Sequence, residues 1–163
     1  MIFSLENKKK LIKSIIENFE KQGKIFKNGM KRAKINAIEA PGRMQSRYDT
    51  AKEEEGALYN ALQIRYLILQ DSIKEIKGIK LDRCVSVRVG ALIRVEIMEE
   101  KSQFIFFLIP KSGGDSIKIG NTKITFISID SPMGKALYKR KKNDIASLIL
   151  PTNQKVMKIL DIG

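Results

Sequence analysis

Apolar and small residues before Pro41 recur at alternating steps of four and three, the spacing of a coiled-coil helix. Lysines and glutamates stand between them, as on a helix face that meets water. The pattern therefore predicts one long helix. Its inner face is predicted to consist of Ile12, Ile16, Phe19, Gly23, Phe26, Met30, Ala33 and Ala37.

A Pro-Gly pair, Pro41 and Gly42, interrupts this helical pattern. Proline lacks the amide donor of a helical residue and glycine adds backbone freedom, so we expect the first helix to end between Ala37 and Ala40. Ser46 can cap a second helix, because its side-chain oxygen can accept from the unpaired amides of a first turn.

The second helix is expected to end by Gly78. Its predicted inner face consists of Tyr48, Ala51, Leu58, Leu62, Leu69 and Ile76, flanked by Ile64, Tyr66, Leu67 and Ile68. Two long helices joined by a short turn predict an antiparallel hairpin over residues 1–77, with its tip near residues 38–47. A four-helix bundle formed by the hairpins of two copies is the alternative.

After Gly78 the spacing of apolar residues changes to two, which is typical of β-strands. The predicted strands lie in residues 84–98, 103–110, 116–120, 123–129, 145–150 and 155–162. Ser131 followed by Pro132 predicts the start of one short helix. The predicted fold class is therefore α+β, with an N-terminal coiled-coil hairpin and a second domain, residues 79–163, that forms an antiparallel sheet with one short helix.

The composition limits the chemistry that the chain can perform. It has no histidine and a single cysteine, Cys84, which excludes an internal disulfide, a zinc site and histidine-dependent acid–base catalysis. No apolar run is long enough to span a membrane and the N-terminus lacks the order of an export signal, so we expect a cytoplasmic protein with no membrane partner.

The chain is strongly basic, with 31 Lys and Arg against 18 Asp and Glu and a formal net charge of +13. Such a surface attracts polyanions, although charge alone names no partner. Two basic clusters are expected on solvated surfaces: Lys8, Lys9, Lys10 and Lys13, and Lys139, Arg140, Lys141 and Lys142. Against this background three consecutive acids, Glu53, Glu54 and Glu55, stand out, and we expect Glu54 and Glu55 to form exposed ion pairs with lysines.

Two stretches resemble the bacterial Gre transcript-cleavage and elongation factors. The first has the pattern Y-x-x-A-K-E-x-x-G and comprises Tyr48, Ala51, Lys52, Glu53 and Gly56. The second, ISIDSPMGKAL at residues 127–137, resembles the S-P-x-x-x-A-L signature of the family. The resemblance implies a finger that enters the secondary channel of RNA polymerase, and a C-terminal domain of FKBP-like fold that docks at the channel mouth. The docking residues that it implies are Asp130, Ser131, Pro132 and Met133.

The tip of the finger departs from the family pattern. Members that provoke cleavage carry two acids there, which help the polymerase to hold a second Mg²⁺. Counting back from Tyr48 without gaps places these acids at Pro41 and Met44, whose side chains offer no oxygen to a metal ion. The tip residues that the resemblance implies are Glu39, Pro41, Gly42, Arg43, Met44, Arg47 and Asp49.

The resemblance therefore implies a non-enzymatic regulator that modulates or inhibits the polymerase without efficient transcript cleavage. Such a factor needs no cofactor of its own, since any cleavage would use the Mg²⁺ of the polymerase active site. A true cleavage factor, in which Glu39 or Asp49 lies at the apex, remains an alternative. The expected partners are RNA polymerase and, through basic residues such as Arg43 and Arg47, nascent RNA or DNA. We expect a monomer.

Two other classes of function stay open. A peptidyl-prolyl isomerase is suggested by the FKBP-like fold alone. Its aromatic-lined pocket would have to be assembled from Phe104, Phe106, Phe107, Phe126 and Tyr138. A stand-alone nucleic-acid-binding protein is compatible with the charge, but the sequence contains no aromatic or glycine-rich recognition motif.

Overall fold

The computed structural model describes residues 3–39, 45–149, 151 and 154–163, and the side chains of these residues except 39 and 45–49. Two long helices, α1 (Leu5–Glu39) and α2 (Gln45–Lys77), come first. They are followed by β1 (Leu92–Ile97), β2 (Ser102–Ile109), β3 (Ser116–Ile119), β4 (Thr122–Ser128), α3 (Pro132–Leu137), β5 (Ile145–Ile149) and β6 (Gln154–Ile162). The predicted fold class, a helical hairpin and then a sheet with one short helix, is confirmed.

The chain forms two compact units. The hairpin unit is Ile16–Lys74, and the sheet unit combines Glu75–Gly163 with the start of the chain up to Ile15. Helix α1 ends within the predicted interval, and α2 ends directly before Gly78. The division into domains at residues 77 and 79 remains a prediction.

In the hairpin unit the two helices run antiparallel with a seven-residue repeat. A Cβ placed on Gly29 would lie 2.9 Å from a methyl carbon of Leu62. Seven residues further along α1, the side-chain amide of Asn36 donates to Glu55, which stands seven residues before Leu62. Seven residues is the period of a coiled coil, as predicted. Of these four residues only Leu62 was assigned to the inner face, so the contacting residues differ from those predicted.

The inner face of α1 largely follows the predicted positions. The buried residues of α1 are Lys8, Leu11, Ile15, Phe19, Gly23 and Ala33. Ile12 and Ile16 were predicted to face inward but are only half-buried. The buried face is thus displaced by one residue at the start of the helix, where α1 belongs to the sheet unit.

The prediction for α2 is wrong near its start. Ala51 is exposed and Leu58 is 49% exposed, although both were assigned to the inner face. The buried residues are Leu69, Ser72, Ile73 and Ile76. Apolar residues occur all round this helix, so their spacing does not single out one face. Helix α2 also begins at Gln45, which places Ser46 inside the helix instead of at its cap.

The sheet has the strand order β3-β4-β2-β1-β6-β5. Its neighbouring strands are antiparallel except β2 and β4, which are parallel, so the sheet is mixed and not wholly antiparallel as predicted. The parallel pair arises because β3 lies at the sheet edge. After β2 the chain crosses to this edge, where β3 runs opposite to β2, and the hairpin of β3 and β4 then brings β4 next to β2 and parallel to it.

Both faces of the sheet are covered by apolar residues. One core includes Ile93, Val95, Leu108, Met157 and Leu137 of α3. On the alternate positions of the strands, Leu92, Phe107, Ile109, Ile124 and Phe126 are also buried. The rings of Phe107 and Phe126 meet edge to face, with centroids 6.0 Å apart.

The predicted first strand is shorter than expected, because β1 begins only at Leu92. Val87 instead pairs with the segment after α3: its amide donates to the carbonyl of Arg140, and its carbonyl accepts from the amide of Lys139. Gly90 then turns the chain into β1 with a φ of 86°, a conformation that favours glycine.

Helix α3 begins as the sequence predicts. The hydroxyl of Ser131 accepts from the amide of Gly134 at 3.0 Å and donates to the carbonyl of Ser128 at 2.6 Å. Pro132 occupies the first turn, where the missing amide donor costs nothing. Gly134 is buried, and a Cβ on it would collide with the carbonyl oxygen of Ser128 and lie 3.1 Å from the Cα of Ile129.

Lys8 contradicts the prediction that the first basic cluster is solvated. Its side chain is 1% exposed, whereas Lys9, Lys10 and Lys13 are exposed. The Lys8 ammonium donates to the main-chain carbonyl of Asp82 at 2.7 Å and lies 3.9 Å from the Cys84 sulfur. Burial lowers the pKa of this ammonium, because the charged form loses water.

The first testable prediction concerns the burial of Lys8. Because its pKa in the folded protein lies below the ordinary value of 10.5, the unfolded chain binds the proton more tightly. The stability contributed by this group therefore rises as the pH increases toward that value. Urea unfolding between about pH 7 and about pH 10 should show a larger gain in unfolding free energy for the wild type than for Lys8→Met. Lys9→Met, at an exposed neighbour, should behave as the wild type; equal pH dependence in all three proteins would contradict the prediction.

The second prediction concerns Gly134. Gly134→Ala should lower the free energy of unfolding by about 1–3 kcal/mol, because the new methyl group forces the Ser128 backbone to move. Urea unfolding followed by circular dichroism measures this change. Lys135→Ala, at an exposed position of the same helix, should change stability by less than about 0.5 kcal/mol. A Gly134→Ala protein as stable as the wild type would show that the turn can relax without cost.

Candidate functional site

The first part of the candidate site is the end of the hairpin. Helix α1 ends at Glu39 and α2 begins at Gln45, so the predicted apex lies between them. Pro41, Gly42, Arg43 and Met44 lie outside the described residues. Glu39, Arg47 and Asp49 belong to the helices. The structure does not describe their side chains or the side chain of Tyr48. The placement of the tip residues therefore stays a prediction.

The family-like motif at the start of α2 lies on the surface of the hairpin. Ala51, Lys52 and Glu53 are exposed. Gly56 is half-buried, and a Cβ placed on it would have no neighbour within 4 Å. The described residues of this motif therefore do not form the interior of the coiled coil.

Glu55 is a half-buried residue between the two helices, and its predicted environment was wrong. We expected an exposed ion pair, but one carboxylate oxygen of Glu55 accepts from the Asn36 amide at 3.2 Å. The other oxygen, Oε2, is buried and has no hydrogen-bond partner. Glu54 is exposed, as expected. The inner position of Glu55 could have been found by counting one heptad back from Leu62.

The second part of the candidate site is the corner before α3. Asp130 and Pro132 are exposed, Ser131 forms the cap described above, and Met133 is half-buried against the core of the sheet unit. The predicted capping role of Ser131 is confirmed. Because Asp130 and Pro132 are exposed, a partner could contact both without any change in the fold.

A basic segment follows α3 directly. Lys139, Arg140, Lys141 and Lys142 are all exposed, as predicted. Their backbone is held in place by the pairing with Val87 and by the Asp144 carboxylate, which accepts from the Lys141 amide at 2.7 Å. Lys142 forms an ion pair with Asp161 at 3.2 Å. The segment thus presents several cations from an ordered backbone.

The five aromatic residues considered for an isomerase pocket do not line one cavity. Phe106, Phe107 and Phe126 are buried in the sheet unit. Phe104 is 42% exposed and lines a groove with polar and basic neighbours, among them Arg94 and Lys123. Tyr138 is exposed and lies under the ammonium of Lys139, 5.6 Å from the ring centre.

Two negative findings apply to the described residues only. They contain no group of three or more Cys, Asp or Glu side chains placed to hold a metal ion. None of their helices combines the length and the apolar content needed to cross a membrane.

Comparison with known proteins assigns the C-terminal half. Residues 83–163 match the family model described as the C-terminal part of the transcription elongation factors GreA and GreB. The chain is similar to the transcription elongation factor GreA of Neorickettsia sennetsu, with 28% identity over 147 residues, 90% of this chain and 87% of that protein. It is 26% identical to GreA of Streptococcus gordonii over 124 residues, 72% of this chain and 68% of that protein.

Among solved structures, the chain is similar to Gfh1 of Thermus aquaticus, with 19% identity, a TM-score of 0.39 and coverage of 90% of this chain and 92% of that one. The similarity to GreA of Neorickettsia sennetsu spans nine-tenths of the chain, so it includes parts of both long helices. The part of the chain that the family model matches, residues 83–163, belongs to the GreA/GreB family of transcription elongation factors.

Proposed function

We propose that this chain binds RNA polymerase by placing its helical hairpin in the secondary channel, and that it modulates or inhibits elongation without efficient transcript cleavage. The lack of efficient cleavage is proposed from one observation. Pro41 and Met44 stand where the resemblance to Gre factors places the two acids that help to hold a second Mg²⁺. Neither side chain can supply the oxygen ligand that Mg²⁺ requires.

The length of the hairpin supports insertion into a channel. Helices α1 and α2 contain 35 and 33 residues, which corresponds to about 50 Å each at 1.5 Å per residue. In the hairpin unit, Gly29 packs against Leu62 and Asn36 donates a hydrogen bond to Glu55. These two contacts, seven residues apart on each helix, hold the helices together. A paired helical segment of this length suits a narrow, deep binding site better than a flat surface.

In this proposal the chain is an accessory factor and not an enzyme. Any hydrolysis of RNA would occur at the polymerase active site with the Mg²⁺ held there, so the factor needs no cofactor of its own. Its effect would come from occupying the channel. We place this activity in the cytoplasm, with a single copy of the chain per polymerase.

The corner before α3 and the basic segment would complete the contact with the complex. Asp130 and Pro132 are exposed beside the ordered cap of α3 and would contact the rim of the channel. The exposed cations of residues 139–142 would contact phosphates of nascent RNA or DNA, and Arg43 and Arg47 would do so at the apex.

The third prediction concerns the corner. Asp130→Arg and Pro132→Ala should each weaken binding to core RNA polymerase by about tenfold, equivalent to about 1.4 kcal/mol. Both residues are exposed, so the melting temperature should change little. Fluorescence anisotropy with labelled protein measures the affinity, and Lys135→Ala on the exposed side of α3 serves as the control. Wild-type affinity in both variants would leave the corner with only its capping role.

The fourth prediction concerns the apex. The wild-type protein should bind core polymerase but give little Mg²⁺-dependent cleavage of backtracked RNA. The double variant Pro41→Asp with Met44→Glu should raise the cleavage rate by at least about tenfold, because it restores two negatively charged carboxylate ligands. The uncharged variant Pro41→Asn with Met44→Gln, which has side chains of the same size, should not.

Efficient cleavage by the wild type would contradict this prediction and favour a true cleavage factor with shifted acids. Separate Glu39→Ala and Asp49→Ala variants would then show which carboxylate lies at the apex. If the wild type neither cleaves nor competes with a cleaving factor for the channel, the proposed function is wrong.

A further inference from the structure

A groove of about 340 Å³ lies between the two helices of the hairpin unit, and its lining on α1 reaches Ala37, two residues before that helix ends. We call it the hairpin groove. It is lined by Ala33, Lys34, Ala37, Glu55, Gly56, Tyr59 and Asn60. Three of these residues, Ala33, Ala37 and Gly56, are alanine or glycine, so they leave space between the larger side chains of the lining.

Gly56 has no explanation in the packing of the chain itself. Glycine is less favourable than alanine inside a helix, and it is usually retained where a side chain would collide. Gly29 fits that rule, since a Cβ there would lie 2.9 Å from Leu62. At Gly56 a Cβ would meet nothing within 4 Å. The missing side chain at Gly56 therefore keeps space open for a group that is not part of the described chain.

Glu55 supplies the polar end of the same groove. Its Oε1 is held by Asn36, which fixes the carboxylate, and its Oε2 is buried without a hydrogen-bond partner. An unpaired buried carboxylate oxygen is unfavourable, and a donor from outside the chain would satisfy it. Lys34 lines the groove too, but it is exposed and does not hydrogen-bond to Oε2.

The charge around the groove selects the kind of occupant. Glu53 and Glu54 are exposed beside Glu55, so three consecutive carboxylates occur in a chain whose net charge is +13. Of the three, only Glu55 lines the groove, because residues one or two apart on a helix do not share a face, and Lys34 lines the groove as well. The unpaired oxygen of Glu55 needs a donor; an ionised phosphate offers none and would be repelled, whereas a basic side chain offers one, which points to a protein partner.

We propose that the hairpin groove receives a lysine or arginine side chain of RNA polymerase. The aliphatic part of that side chain would pack on Ala33, Ala37 and Gly56, and its charged end would donate to Oε2 of Glu55. This inference rests on the proposed function, because it takes the polymerase as the partner. It adds a specific contact along the side of the hairpin, made by residues other than those of the apex and of the corner before α3.

The test uses the whole chain and four variants. Gly56→Leu fills the groove, and Glu55→Gln removes the charge but keeps an acceptor for Asn36. Ala57→Leu is the matched control, since Ala57 is the next residue of α2, is exposed and does not line the groove. Affinity for core RNA polymerase is measured at about 50 mM and about 200 mM salt, and folding is checked by thermal melting.

We expect Gly56→Leu and Glu55→Gln each to weaken binding by about tenfold at low salt, and Ala57→Leu to change it by less than about twofold. Glu55→Gln should also reduce the salt dependence of binding, since one ion pair is lost. Gly56→Ala provides a variant that must fold, because alanine favours the helix and its methyl group meets nothing. It should melt at a higher temperature than the wild type and bind more weakly, though less so than Gly56→Leu.

The failures of the two proposals are distinguishable. If the wild type binds polymerase and Gly56→Ala and Glu55→Gln bind equally well, the groove has no partner and only this inference is overturned. If the wild type does not bind polymerase, the proposed function fails and the groove contact fails with it. If the variants instead weaken binding to an RNA oligonucleotide in the absence of polymerase, the occupant is a nucleic acid and the inference is wrong.

Discussion

The close approach of α1 and α2 at Gly29 sets the register on which the rest of the hairpin unit depends. Leu62 occupies the space that a side chain at Gly29 would fill, so this register is favoured over one that brings a larger residue against Leu62. One heptad away, the same register brings Asn36 opposite Glu55. It also brings the small residues Ala33 and Ala37 to the side of Gly56, where the groove forms.

The local chemistry of the chain was enough to predict where its elements begin and end. Pro41 lacks an amide donor and Gly78 ends a helical pattern, and α1 and α2 stop just before these residues. Ser131 and Pro132 start α3 for equally local reasons, so the predicted corner was correct. Such signals act within a few residues of the chain and need no knowledge of what packs against them.

The features that the sequence did not reveal depend on contacts between distant residues. A cluster of lysines gives no sign that Lys8 alone is buried, because its partner, the carbonyl of Asp82, lies 74 positions away. The parallel pairing of β2 with β4 depends on β3 occupying the sheet edge. Of the candidate site, the capped corner before α3 was predictable, whereas the exposure of Ala51 and the position of Glu55 required the register of two helices.

In the proposed function, the positions of the carboxylates determine how the chain can act on the polymerase. A cleavage factor contributes to the transition state by placing oxygen ligands at the reacting phosphate, and its binding energy serves that chemistry. Without acids at residues 41 and 44, the proposed function depends only on how long and in which position the hairpin occupies the channel. Contacts along its side then determine the effect directly, because every contact that slows dissociation prolongs the occupied state. Glu55 is fixed by Asn36 at a distance from the apex, so it can stabilise the bound hairpin but cannot replace the missing metal ligands.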